Sequence, residues 1–420
     1  MAAGHTGSKA GNPDRRAVMK VRGKAVLALA VAAAVAVVAV TAGSASLQQR
    51  KTVTIGWAYD GIGNMAAYDG PALATAKERV TQLNKLKSNT TKFRLITCNT
   101  QGNKPAVAKA CAAKLVSQGA DILMTTCDVD YATPVVQYAI DRGKLTVAAC
   151  IGTDQMGPKR FGAKGRLAFS FGNVAQDEGS AMAEFAWKRG WRNAALATDT
   201  VIVYFRNVVQ AFKARWQQLG GKIATEETYQ SAGGSPASWQ NTVTRLNAKA
   251  ADVIVTSTAP PFGAQVPIMS GLRTLGNNTP ILNSWAGDGN YWYTDDPKVS
   301  NYYYVTFASA YGDDPVKAVN ALRTKYKAAI AKGGNTGAFV NGWSAIDGIN
   351  LAIKRAGGST NGVALAAQME KFKNVPTLSG LVTFSKSLHT VSGRTYRVIR
   401  VQNNTPKVVG TIKAKVVPKI

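Results

Sequence analysis

The chain has 420 residues, enough for two or three domains with sizeable cores, and 46% hydrophobic against 18% charged residues excludes a disordered polymer. One segment alone has an apolar run long enough to approach a bilayer, which excludes a polytopic membrane protein. Lysine and arginine number 51 against 23 acids, a net charge of +28, but they are spread without a run of five, so the surplus reads as a solvated basic surface and not as a nucleic-acid site.

The first fifty residues read as an export address. Residues 25–40, AVLALAVAAAVAVVAV, are apolar throughout, with KVRGK before them and TAGSAS after them. Basic, apolar and small-residue segments in that order make a secretory signal, assigned to residues 1–46 with cleavage near Ala45 or Ser46. The run is shorter than the ~20 residues of a membrane span, and an uncleaved anchor is the alternative. Asp14-Arg15-Arg16-Ala17-Val18-Met19-Lys20 is similar to a twin-arginine export motif, while Met19 would also serve as the start of an ordinary signal. No cysteine follows the apolar run before Cys98, so a lipid-modified N-terminus is not expected. The expected location is exported, either periplasmic or extracellular and associated with the cell wall.

Beyond residue 52, short apolar strands alternate with amphipathic helices. Strands are expected at 53–58, 92–98, 121–126 and 144–150, with helices at 65–84, about 107–115 and 134–142 between them. Such alternation requires right-handed crossovers and a parallel sheet covered on both faces. The pattern restarts at 166–171 with a helix to about 189, a strand at 193–198 and a helix carrying Phe205, Val208, Val209, Phe212, Trp216 and Leu219, read as core. Gly220-Gly221 stops that helix. Strands at 222–229, 252–257, 280–284 and 301–307 continue the series, with helices to 247 and at 266–275. Helices at 315–331, 339–355 and 362–373 and strands at 381–384, 394–402 and 406–413 complete the chain.

The fold class is therefore α/β, with two doubly wound parallel-sheet lobes joined by a multi-strand hinge. Lobe I is expected to hold residues 51–172 and 309–378, and lobe II residues 173–308 and 379–420. Repeated crossings form a hinge, and a hinge brackets a cleft.

Four cysteines fall between Cys98 and Cys150, and an even count in an oxidising compartment favours disulfides. Three connectivities are possible. The strand reading puts Cys127 and Cys150 at the ends of successive strands and Cys98 and Cys111 across one strand–helix turn, favouring Cys98–Cys111 with Cys127–Cys150. Neither CxxC nor a neighbouring histidine supports zinc.

Chemistry-bearing motifs are few. Gly61-Ile62-Gly63-Asn64-Met65-Ala66 has the form of a dinucleotide fingerprint, but the second strand ends ITCNTQ, without an acid for a ribose, and a Gly-rich turn is the expectation. The histidines are His5 and His389, the latter read as an exposed turn residue. There is no HExxH, GxSxG or GxxxxGK[ST]. Asp128, Asp130, Asp154, Asp199 and Asp288 sit at or after strand ends and read as solvated loop acids. No enzyme, metal or cofactor is expected. Small polar groups at strand ends, on two edges facing across a hinge, suit a small polar ligand.

The ordered series VTIGWAYDGIGNMAAYDG, KPAVAKACAAKLVSQGADILMTTC, TVAACIGTD, AALATDTVIVYFRNVVQAFKARWQQLGG, NSWAGDGN, FVNGWSAIDGINLAIKRAG and LSGLVTFSKS resembles the type I periplasmic solute-binding proteins of the branched-chain amino-acid (Leu/Ile/Val) transport family, from about Val53 to the end. The resemblance implies capture of a solute by hinge closure and its presentation to an ABC permease in the membrane. It also implies ligand contacts from Tyr68 by ring packing and from Thr153 and the backbone at Gly152 toward a carboxylate. Tyr204 would contribute from the second lobe, and Asp288 would receive an ammonium. Where the family has small hydroxyl residues, this chain has Cys127-Asp128-Val129-Asp130, and a carboxylate at Asp128 would repel an amino acid's carboxylate. The ligand is thus expected to be amino-acid-like, an amide, a cation or a polyol, and the protein a monomer without a nucleic-acid partner. A ligand-sensing module of the same fold and, third, a secreted enzyme stay open.

Overall fold

A computed structural model describes residues 50–419; the expected signal, the twin-arginine-like segment and His5 lie outside the described residues. Among the described residues no helix is long and apolar enough to cross a membrane.

Two sheets organise the chain. The first runs in the order Thr390–Val391, Ala168–Asn173, Thr146–Ala148, Ile122–Thr125, Lys51–Tyr59, Thr91–Asn99, all neighbours parallel. Val53, Ile55 and Trp57 are fully buried in its centre, with Ile55 opposite both Leu95 and Ile122, as expected of a strand covered on both faces. The second runs Thr405–Ile412, Tyr396–Gln402, Tyr302–Thr306, Ile281–Asn283, Val253–Ser257, Asn193–Asp199, Lys222–Tyr229. Its last five strands are parallel, and the two C-terminal strands add antiparallel at one edge.

Helices cover each sheet. Ala66–Lys85 packs on Ala338–Arg355 in the first lobe, and the contact is so close that a Cβ at Gly342 would lie 1.9 Å from the Ala72 carbonyl. Ala175–Lys188 packs on Val203–Gln218 in the second lobe, where Phe205, Val208, Phe212 and Trp216 are buried as expected of a core stripe. The chain passes between the sheets after Asn173, after Thr306 and after Val391.

Several elements differ from expectation. The third helix is Val129–Ile140 and begins well before 134, because the Asp128 side chain caps it and Pro134 lies inside it. The 315–331 helix is divided at Tyr326 into Lys317–Lys325 and Lys327–Lys332. Thr390–Val391 pairs with Ala168–Asn173 in the first sheet, so the chain leaves that lobe later than the boundary at 378. His389 is not an exposed turn residue. It is buried, its ring stacked on Phe169 at 4.0 Å and its Nδ1 3.0 Å from the Ala168 carbonyl oxygen. The cysteines pair as Cys98–Cys111 and Cys127–Cys150, the latter tying the ends of two neighbouring strands.

Candidate functional site

The lobes meet at the carboxyl ends of their parallel strands, where open α/β sheets place ligands. A cavity of about 20 Å³ lies there. From the first lobe it is lined by Met65 and Tyr68, at the start of Ala66–Lys85, and by Cys127 and Asp128 after the third strand. From the second come Ile202, Tyr204, Phe205, Ala259, Trp285 and Ala286. Such a volume holds about one water, so a solute enters only when the lobes part.

The lobes touch directly around this chamber. The Tyr68 hydroxyl donates to the Ala286 carbonyl, and its ring meets Trp285 edge-on at 4.9 Å. Gly152 faces the Tyr204 ring so closely that a Cβ would lie 2.6 Å from Cε2. Val203 N donates to Asp130 Oδ2 at 2.9 Å, and Arg160 Nη1 holds Asp130 Oδ1 at 2.8 Å.

Carboxylates dominate the electrostatics. Asp128 is buried, not a solvated loop acid; its Oδ1 accepts the amides of Asp130 (2.9 Å) and Tyr131 (3.2 Å). Burial, reinforced by the neighbouring Asp130 charge, pushes it up to about 7. Glu178 accepts the Tyr204 hydroxyl (2.9 Å) and the Trp285 amide (2.6 Å), and burial pushes it up to about 7. Asp69, between the first and third strand ends, accepts the amides of Asp60 (2.7 Å) and Cys127 (2.9 Å), and burial pushes it up to about 8.

The glycine loop folds around a carboxylate of its own. Asp60 Oδ1 accepts the amides of Ile62, Gly63 and Gly102, and Oδ2 those of Met65 and the Asn103 side chain, at 2.8–3.1 Å. A Cβ at Gly63 would lie 2.5 Å from Gly102 Cα. The donors that would meet a pyrophosphate are thus committed inside the protein. A wider groove of about 630 Å³ borders this loop, lined also by Pro261 and Tyr291 of the second lobe.

Of the residues singled out from the sequence, Tyr68, Asp128 and Tyr204 line the chamber and Gly152 buttresses it. Thr153 is buried behind it, its carbonyl accepting the Thr390 hydroxyl at 2.8 Å. Asp288 is buried too, not a solvated loop acid, and it joins the lobes: its carboxylate accepts Gly289 N, Thr306 Oγ1 and Gly337 N at 2.6–2.7 Å, and burial pushes it up to about 6. Asp199, equally buried, accepts the Thr258 hydroxyl at 2.7 Å. Trp285, Phe205 and Glu178 escaped the sequence reading as site residues. The signals were a tryptophan directly after a strand in NSWAGDG and two acids entering an apolar helix, AQDEGSAMAEFAWK.

The profile of one protein family, described as periplasmic binding protein, matches residues 52–406. Solved structures share the fold. They include a branched-chain amino acid transporter substrate-binding protein from Streptococcus pneumoniae in complex with isoleucine (19% identity, TM-score 0.72, covering 88% of this chain and 100% of that one). A leucine-binding protein from Thermotoga maritima follows (17%, 0.71, 86% and 98%). A third is an ABC-transporter solute-binding protein from Rhodopseudomonas palustris in complex with p-hydroxybenzoic acid (16%, 0.70, 87% and 98%). No curated protein matches the sequence.

Proposed function

The chain belongs to the periplasmic binding protein family, and from that premise we propose that it is an exported solute-binding protein that closes its two lobes on a small polar ligand and delivers it to an ABC permease. The observation that carries this reading is the chamber walled from both lobes, whose closure depends on direct contacts between them. The structural relatives are described as substrate- or solute-binding proteins of transporters, with an amino acid or an aromatic acid bound, which supports the same role here.

In this reading Tyr68, Tyr204 and Asp128 touch the ligand, Gly152 leaves room for the Tyr204 ring, and Thr153 and Asp288 hold the walls. The protein works as a monomer, needs no cofactor and releases its ligand unaltered, after removal of the 1–46 signal. Closure stabilises the bound state because the ligand contacts both lobes only when they meet.

Native mass spectrometry of freshly purified protein, followed by thermal shift with amino acids, amides, amines and polyols, tests it. A true ligand at a hundredfold excess over Kd adds about 2.7 kcal/mol of apparent stability. Small-angle scattering that stays unchanged with every compound in the panel would falsify hinge closure.

A further inference from the structure

We propose that the ligand is a small organic cation without a carboxylate, an alkylated ammonium held among the Tyr68, Tyr204, Phe205 and Trp285 rings and Asp128 with the lobes set further apart than they are around the one-water chamber. This rests on the solute-binding reading and names the chemistry it accepts.

Three observations carry it. The first is the composition of the chamber wall: four aromatic side chains, Met65 and Ile202, one carboxylate, and neither lysine nor arginine. Ring faces attract a cation through their quadrupoles, and the attraction grows when water is excluded. Asp128 supplies the charge; its Oδ2 accepts no hydrogen bond among the described residues, while Oδ1 is engaged by the helix amides. Glu178, directly behind Tyr204 and Trp285, adds a second carboxylate whose hydrogen-bond donors are uncharged.

The second is where the anion-receiving groups have gone. A ligand carboxylate needs free backbone amides or a cation. The amides opening Val129–Ile140 belong to Asp128, and those of the glycine loop belong to Asp60. Arg160 is held by Asp130 and Gln155. Arg394, on the far side of Phe307, donates to the carbonyls of Ser379, Phe171 and Gly172. An anion entering the chamber would meet like charge and few donors.

The third is the indole of Trp285. The residue is 4% exposed, and its Nε1 has no hydrogen-bond partner. A buried donor without an acceptor is costly, so the cation is expected to carry an oxygen as well, such as a hydroxyl.

The test is isothermal titration of the mature protein with choline, tetramethylammonium and butylamine, beside isoleucine, p-hydroxybenzoate and the neutral 1-butanol. Binding of at least one cation, with choline tighter than tetramethylammonium, is expected. Asp128→Asn keeps the helix cap and should weaken the cation at least tenfold; Trp285→Phe keeps a ring and should remove the preference for choline. Binding of a carboxylate or of butanol in place of the cations overturns the cation and leaves the solute-binding reading standing. Silence across all six overturns the cation, and if no solute from the broader panel binds either, the solute-binding reading falls with it.

Discussion

Asp130 of the first lobe accepts the amide of Val203, the first residue of a second-lobe helix, at 2.9 Å. That helix has no side-chain cap of its own, since Ile202 stands at its N-cap position. A carboxylate from one lobe thus completes a helix of the other, and the contact exists only while the lobes are together. Its other oxygen is fixed by Arg160, itself anchored on Gln155 in the loop after the fourth strand. Closure therefore gains a charge-assisted hydrogen bond at a helix N-terminus, worth about 1 kcal/mol by analogy with ordinary caps.

Replacing Asp130 by alanine should shift the lobes toward the open form. The expected result is a larger radius of gyration in solution and faster hydrogen exchange at the first amides of Val203–Gln218, with affinity for the transported solute about five- to tenfold weaker. If the exchange rates at those amides match the wild type, the cross-lobe cap contributes nothing to closure.

Gly152 offers the opposite manipulation, a wedge. An alanine Cβ would sit 2.6 Å from Tyr204 Cε2 and 2.8 Å from Cδ2, and the three atoms nearest to it all belong to that one ring of the facing lobe. The nearest obstacle to the methyl is thus the facing lobe, and Gly152→Ala is expected to fold, with a cooperative melting curve as the check. It should bind at least tenfold more weakly and show a scattering profile that does not contract on adding ligand. A variant that binds like the wild type would show that Tyr204 swings aside freely.

The two disulfides should separate stability from binding. Each closes a loop, with sequence separations of 13 and 23, and each contributes roughly 3 kcal/mol in the chain-entropy account. Cys127–Cys150 also joins the strand ends from which the Asp128 and Gly152 segments emerge, and Cys127 lines the chamber. The paired replacement Cys127→Ser, Cys150→Ser is expected to lower both Tm and affinity. The pair Cys98→Ser, Cys111→Ser is expected to lower Tm with affinity kept. Equal affinity losses in the two double variants would remove the special role given to the second bridge.

The two sheets were readable because strands covered on both faces show as unbroken apolar runs, such as VTIGWA and DVIVTS, set between helices of regular period. The site was less so. Pro134 looked like the first residue of a helix, as proline often is, yet that helix begins five residues earlier at Val129, capped by Asp128. Phe205 belongs to a stripe that is mostly core, and its contact with the chamber depends on where the facing lobe comes to rest. His389 sits among serines and glycine that signal a turn, but strand pairing next to Ala168–Asn173 draws it onto Phe169. The helix start was a local cap passed over, whereas Phe205 and His389 owe their places to partners far away in sequence, which local pattern does not encode.

Acidity should move stability and binding in opposite directions. Desolvation pushes Asp69 up to about 8, Asp128 and Glu178 up to about 7, and Asp288 up to about 6, all from unfolded values near 4. Between about pH 4 and pH 8 the native state therefore holds more protons than the unfolded chain. The contribution of these groups is fully present below about pH 4 and is lost as pH rises through the folded values, at up to about 1.4 kcal/mol per pH unit for each group. His389 opposes them: burial lowers its pKa, so it withdraws stability as pH falls below its ordinary 6.5. Around the chamber the groups to count are Asp128, Glu178, the Asp130–Arg160 pair, and the Tyr68 and Tyr204 hydroxyls, which burial raises further out of range. The ligand-free protein is expected to melt higher at pH 5.5 than at pH 8. An ammonium ligand should bind more tightly at pH 8, where Asp128 and Glu178 are ionised, and its stabilising effect should grow across the same interval. Melting curves and titrations at half-unit steps in pH, at constant ionic strength, read both trends. A cation affinity that falls as pH rises through 7 would mean that neither carboxylate faces the ligand.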